Sequence, residues 1–207
     1  MKKKNKAIYL LFLMPFVYFA TACFVVWLVK TSGIYPSGSD TMYHVYRGDY
    51  VYNAIKSGNW YPLYDPAWYN GVEILRYWSP FPAYVMAFCQ YLAGGSQFGA
   101  YLFYIGGVCF LGACVWPFIG RGFNRPYLGA FIGLLWFFMP NNLCAIFIEG
   151  NLARSLSMIF LPVFIYSVYK YLYNHKLRYI PLMVFTFLLM ELCHLGYAGM
   201  VAIAVII

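Results

Sequence analysis

"FPAYVMAFCQYLA", Phe81 to Ala93, is an apolar stretch of thirteen residues on whose reading the topology of the chain depends. About 20 apolar residues are needed to cross a bilayer as a helix. If this short stretch crosses, every later segment is inverted. Charge decides between the two cases. With Phe81–Ala93 lying in the interface or dipping in and returning, one side of the membrane holds Lys2, Lys3, Lys4, Lys6, Arg121, Arg125, Lys170, Lys176 and Arg178 and no acid. The other side then holds Lys30, Arg47, Lys56, Arg76 and Arg154 together with all six carboxylates. With the stretch spanning, only the four N-terminal lysines and Arg154 remain on the first side. Basic residues concentrate in cytoplasmic loops, so the first arrangement is expected, with the N-terminus cytoplasmic.

Outward from that stretch the chain is apolar nearly everywhere. Hydrophobic residues make up 63% and charged residues 10%, against about 25% charged in a soluble domain. The expected class is an all-α polytopic membrane protein. "MKKKNK" (1–6) reads as a cytoplasmic basic N-terminus, and 7–29 as the first transmembrane helix, too long and too poor in a cleavage site for a signal peptide. Residues 30–80 read as a large extracytoplasmic loop, 81–95 as the interfacial or re-entrant helix, and 96–207 as further transmembrane helices. The apolar segments there are Phe98–Gly120, Tyr127–Pro140, Leu156–Tyr173, Tyr179–Cys193 and Leu195–Ile207, with the chain stopping inside the last. Prolines 117, 140, 162 and 181 are expected at kinks or helix ends. The net charge of +8 sits in short clusters beside apolar runs, a topology signal that excludes nucleic acid as the expected partner. The six cysteines show no CxxC pair and read as small buried hydrophobes.

In the outer loop, "GSDTMYHVYRGDYVYNAIKSGNW" (Gly38–Trp60) gathers charge that the chain avoids elsewhere. Ser39 suits an N-cap with Asp40 in the first turn, and Gly58 suits the helix end. Asp40, Tyr43, His44, Arg47 and Val51 then fall on one helical face. Two readings stay open here: a site, or a cap plus a surface ion pair. Gly48 is a place for a kink, Asp49 reads as solvated, and Tyr46, Tyr50 and Tyr52 suit the headgroup level. "SGNWYPLYDPAWYNGVEILRYWSPFPAY" is a run of turns whose aromatic rings either stack on sugars or, the preferred reading, anchor the loop in the interface. In "IEGNLARS", Asn151 either caps the next helix or lines a site with Glu149 and Arg154. Glu191 and His194 could pair with each other, and ionisable groups at that depth favour function. His175, in "NHKLR", reads as a solvated loop residue.

The order of these motifs, "GSD…H…R", "GNWYPLYDPAWYNG", "YWSPFPAY", "EGNLARSLSMIFLPVFIY" and "ELCHLGYAGM", resembles GT-C-type membrane glycosyltransferases. It is most similar to the bacterial membrane-domain branch labelled 6-pyruvoyl-tetrahydropterin synthase-related, although nothing resembles a soluble pterin enzyme. The resemblance implies the N-terminal part of a GT-C-like fold, with amphipathic helices in the first extracytoplasmic loop, in a bacterial plasma membrane. It implies transfer of a sugar from a polyprenyl-phosphate-linked donor to a glycan, lipid or protein acceptor outside the membrane. Asp40 matches the catalytic acidic position, and His44, Arg47, Glu149, Asn151, Arg154, Glu191 and His194 are substrate-binding candidates. A carboxylate can serve as base, and a guanidinium from Arg47 or Arg154 can hold the phosphate leaving group. The metal question stays open, a divalent cation between Asp40 and a second carboxylate being one answer. The competing functions are a transporter or flippase-like protein for lipid-linked sugars, against which stands the lack of an internal repeat, and a non-catalytic envelope-assembly protein.

Overall fold

The computed structural model describes the backbone of residues 2–206 and the side chains of residues 11–206, so the side chains of the basic N-terminus at 1–6 fall outside the description. The described chain is helical throughout, with no strand longer than a single bridge, and four segments are long and apolar enough to cross a bilayer. They are Leu11–Ser32, Gln97–Gly122, Pro126–Ile148 and Leu152–Leu172. The first is the greater part of α1 (Lys2–Ser32), and the second is α4 (Gln97–Gly122), which runs on through Pro117.

The third span is irregular. It joins α5 (Pro126–Leu135), a 3-10 turn at Trp136–Phe138, α6 (Pro140–Leu143) and a π turn at Cys144–Ile148. The sequence reading ended this segment at Pro140; the chain continues instead to Ile148. Met139 is extended (ψ 122°), and Pro140, having no N–H to pair, begins a new turn rather than closing the old one. The fourth span joins α7 (Leu152–Met158) and α8 (Leu161–Leu172) and starts four residues before the expected Leu156. Its early start has a cause: Asn151 Oδ1 accepts from the Arg154 N–H at 3.0 Å and caps the helix. Two shorter helices follow, α9 (Ile180–Cys193) and α10 (Leu195–Ile206), separated by the extended residue His194.

α4 is the central post, packed between α1 and α5. The buried Tyr18 hydroxyl donates to the Ala130 carbonyl at 2.8 Å and ties α1 to α5. At the C-terminal end of α4, Lys170 donates to the Gly122 carbonyl at 2.8 Å, satisfying an end carbonyl of the helix beside the Phe123 ring. Phe12, Phe16, Phe19 and Trp27 stand exposed along α1, as expected where hydrocarbon is the solvent.

Packed on α4 through α3 is a layer built on α2 (Thr41–Lys56) and α3 (Phe81–Leu92). At 12 residues, α3 is about 18 Å long, well short of the roughly 30 Å hydrocarbon core. The two helices cross at Gly48, where a Cβ would lie 2.2 Å from Met86 Cγ. Gly48 therefore marks a close approach, and α2 continues through it. Asp49 is likewise not a solvated residue. Its carboxylate accepts from Gln90 Nε2 at 2.6 Å, and Gln90, 2% exposed, also donates to the Gly95 carbonyl. A second small core of Val51, Ile74, Leu75, Ala83 and Ala87 fills the layer. The loop between the helices is fastened by Asp65, which bridges to Val72, accepts from the Ala67 amide at 2.9 Å and receives the Tyr46 hydroxyl. Tyr50 donates to the Tyr64 carbonyl at 2.7 Å. Tyr46 and Tyr50 thus spend their hydroxyls on the loop rather than on a headgroup surface.

Candidate functional site

The start of α2 meets the turn after the π segment. The π turn closes with the Glu149 amide on the Cys144 carbonyl, and Gly150 follows in the left-handed region (φ 68°). Such π turns are often found at functional sites. Here the turn carries the Glu149 carbonyl to the Asp40 amide at 3.0 Å and to the Ser39 hydroxyl at 3.1 Å. Gly38 and Gly150 touch: a Cβ on Gly38 would lie 2.5 Å from the Gly150 Cα. Two segments that each look like an ordinary turn in sequence are one junction in space.

The N-cap of α2 is Asp40, not Ser39, and its carboxylate makes no capping hydrogen bond. The one Ser39 hydroxyl proton is shared between the Glu149 carbonyl and Asp40 Oδ1, the latter at 3.2 Å, and no other hydrogen bond engages that carboxylate among the described residues. A residue type that usually caps its helix here leaves both oxygens largely free. From Asp40 the helix face runs down through Tyr43, His44 and Arg47. His44 is 6% exposed, and neither ring nitrogen finds a hydrogen-bond partner among the described residues. Burial pushes its imidazole down to about 3, the charges of Arg47 and of nearby His194 acting the same way. It is therefore neutral at physiological pH.

His194 arrives from the break between α9 and α10. Its Nδ1 accepts from the Tyr197 amide at 3.0 Å. The proton of the neutral ring then belongs on Nε2, which faces Asn151 Nδ2 at 3.4 Å. Asn151 cannot turn its oxygen round without losing the helix cap. Two donors face each other, and His194 Nε2–H remains available to a third group. Burial holds this imidazole below its ordinary value and the Arg154 charge adds to the effect, while the Asp40 carboxylate opposes it, placing His194 within the field of Asp40.

Glu149 and Arg154 form an ion pair at 2.6 Å. Arg154 also donates to Asn141 Oδ1 at 3.1 Å, and the Cys144 thiol donates to Glu149 at 3.4 Å. Glu149 is thus committed and does not stand as a free second carboxylate beside Asp40. Among the described residues no three His, Cys, Asp or Glu side chains are grouped to hold a metal ion. Glu191 joins only through its backbone: its carbonyl accepts from Ser79 Oγ at 2.9 Å, and its carboxylate does not pair with His194.

Two clefts flank the bundle. One of about 260 Å³, between α1 and the third span, touches none of these charged groups. The other, about 460 Å³, runs between α4 and α8 and is walled by Trp116, Phe123, Met158 and Ile165. Its walls also include Asn141 and Tyr197, which bond Arg154 and His194 respectively. An apolar groove therefore borders the polar junction. Asn141 escaped the sequence reading although an asparagine inside an apolar span is costly and usually purposeful. Tyr43, by contrast, already stands on the helical face that spacing draws from Asp40 to Arg47.

No curated protein and no solved structure matches the chain. A family model does, that of the 6-pyruvoyl-tetrahydropterin synthase related domain, a membrane protein, over residues 75–207. The matched part includes Glu149, Asn151, Arg154, Glu191 and His194, and leaves Asp40, His44 and Arg47 outside. With well over half of its length matched, and that length folded into apolar spans, the chain belongs to the 6-pyruvoyl-tetrahydropterin synthase related family of multi-pass membrane proteins.

Proposed function

We propose that the protein is a membrane glycosyltransferase of GT-C-like fold that moves a sugar from a polyprenyl-phosphate donor to an acceptor outside the bacterial plasma membrane. The observation that carries this reading is Asp40, an N-cap residue whose carboxylate is not used as a cap and which sits where α2 meets the Glu149–Asn151 turn. The orientation adopted is N-terminus inside, with the α2–α3 layer outside. Asp40 takes the proton of the acceptor hydroxyl as that oxygen bonds to the anomeric carbon. The bond from that carbon to the lipid phosphate breaks, and its electron pair leaves on the phosphate oxygen. His194 Nε2–H and the arginines supply donors for the growing negative charge. The groove between α4 and α8 is apolar along its length and begins at the junction, in keeping with a lipid-borne substrate. Asp40→Asn keeps the shape and removes the base. Loss of sugar transfer at an unchanged amount of protein in the membrane is the expected result, and retained transfer removes the assignment.

A further inference from the structure

We infer that Tyr43, Trp68, Tyr69 and Trp78 form a carbohydrate-binding notch on the α2–α3 layer, a helical turn away from Asp40. The Tyr43 ring, half-buried on the Asp40 face of α2, meets two indoles, each at 66°: Trp68 at 5.4 Å and Trp78 at 5.9 Å. Trp68 in turn meets the Tyr69 ring at 5.8 Å. Trp78 is 52% exposed and Tyr69 84%. Rings from α2, from the loop tip and from the approach to α3 are thus set at angles around one floor, with outer faces open.

Tyr69 argues that the arrangement has a purpose. With Asn70 it forms the middle of a turn that the Gly71 amide closes on the Trp68 carbonyl at 2.8 Å, and both central residues are left-handed, at φ 49° and 62°. Such turns favour Asn and Gly, and a tyrosine there is strained. Burial does not repay the strain, since the ring stands in the open. The frame around it is firm: Asp65 pairs with Val72 below the tip, and a Cβ on Gly71 would overlap the Tyr64 ring. A strained residue that gives the fold so little points to a role outside the fold. Anchoring in the headgroup layer, the role expected from sequence, asks only for rings at the right depth and makes no demand on the backbone.

Three properties select the ligand. The open ring faces are electron-rich and attract C–H groups that neighbouring oxygens have made slightly positive, and sugar rings present these in flat arrays. Arg47, its guanidinium carbon 5.4 Å from the Tyr43 ring centroid, already brings a positive charge and disfavours a second cation such as a quaternary ammonium. The Tyr43 hydroxyl and the Trp68 indole N–H enter no hydrogen bond among the described residues, yet neither is fully buried, so they suit a ligand that carries hydroxyls. A neutral or acidic glycan meets all three conditions. The notch itself does not need the transferase reading; only its role as the seat of a glycan acceptor rests on that reading.

The test is binding of the full chain, in a polyoxyethylene detergent whose head carries no sugar, to an array of neutral and acidic hexose and N-acetylhexosamine oligosaccharides. Saturable binding to a subset is expected. Tyr69→Phe should keep it, whereas Trp78→Ala and Tyr69→Asn should each weaken it about fivefold or more, the worth of one aromatic contact. Trp60→Ala, also exposed but outside these ring contacts, should leave it unchanged. Asparagine suits the left-handed region, so the Tyr69→Asn protein should melt no lower than wild type. A lower melting temperature shows that the ring serves the fold and overturns the site. So does wild-type protein that binds no glycan, or a Tyr69→Asn protein that binds like wild type. A bimane label on the Tyr69→Cys protein, in the Cys23→Ala background in nanodiscs, tests the anchoring role. Quenching by iodide is expected; quenching by brominated lipid places the loop tip in the membrane and overturns the site. Tyr69-dependent glycan binding with no sugar transfer leaves the notch standing and removes the transferase. Transfer that continues with no Tyr69-dependent binding does the reverse.

Discussion

The Gly38 and Gly150 backbones are in contact, so that a Cβ on Gly150 would lie 2.2 Å from Thr41 Oγ1 and 2.6 Å from the Thr41 amide nitrogen. Gly150 is also left-handed, at φ 68°. Gly33 has nearly the same backbone angle, 69°, with nothing within 4 Å of its added Cβ. The pair separates conformational strain from steric exclusion. Gly33→Ala is expected to cost about 1–2 kcal/mol from the left-handed conformation alone. Gly150→Ala adds an overlap with backbone that cannot rotate away, worth about 1–3 kcal/mol more. Thermal unfolding of the two variants in detergent checks this. Equal losses at both positions would mean that the junction opens without penalty.

His44 makes stability fall with acid. Its folded value is about 3 against an ordinary 6.5, so the unfolded chain binds the proton more readily and stability drops as pH falls below 6.5 towards 3. At pH 5 the loss is about 2 kcal/mol relative to neutral pH. Melting temperatures between pH 7.5 and 5 should show a slope that His44→Phe flattens. A slope unchanged by that substitution would place the titrating group elsewhere.

Gln90 joins α2 to α3 through Asp49. Gln90→Met keeps the volume and removes both donors, leaving the Asp49 carboxylate without this partner. The expected cost is about 1–3 kcal/mol. Hydrogen exchange should report it as faster opening of Thr41–Lys56 and Phe81–Leu92 than of the four spans. Uniform acceleration across the protein would contradict a separate α2–α3 layer.

Topology can be read by thiol labelling. Cys23 is the native thiol standing exposed among the described residues, so Cys23→Ala is the background. Tyr77 and Phe123 are 72% and 40% exposed. In the proposed orientation, Tyr77→Cys reacts with an impermeant reagent on intact cells, and Phe123→Cys reacts only after permeabilisation. Labelling of position 123 on intact cells would invert the protein and remove Asp40 from the outer side.

Composition and charge carried the class to the structure because the bilayer leaves few alternatives to apolar helices. The irregular third span was not legible past Pro140. Proline marks a break but not whether the chain resumes its direction, and "NNLCAIFI" has no periodic signal to say so. The helical face from Asp40 to Arg47 could be drawn from spacing, because 3.6 residues per turn is local geometry. The junction with Glu149–Asn151 could not, since it depends on contact between two glycines far apart in sequence. Asp49 was misread for the same reason: its partner Gln90 sits on another helix. Local rules rank a carboxylate by its neighbours in the chain, whereas Asp49 and Asp65 take Gln90 and Tyr46 from other elements.

Ser39 and Glu149 hydrogen-bond across 110 residues of chain. At about 5–20 residues per second of synthesis, that separation is roughly 5–20 s of translation. Throughout that interval the Asp40 helix is already made, while the turn that receives it does not yet exist. The first half of the junction must wait at the membrane for two further spans to insert before its second half arrives, so that the surroundings of Asp40 are completed only by the assembly of the bundle.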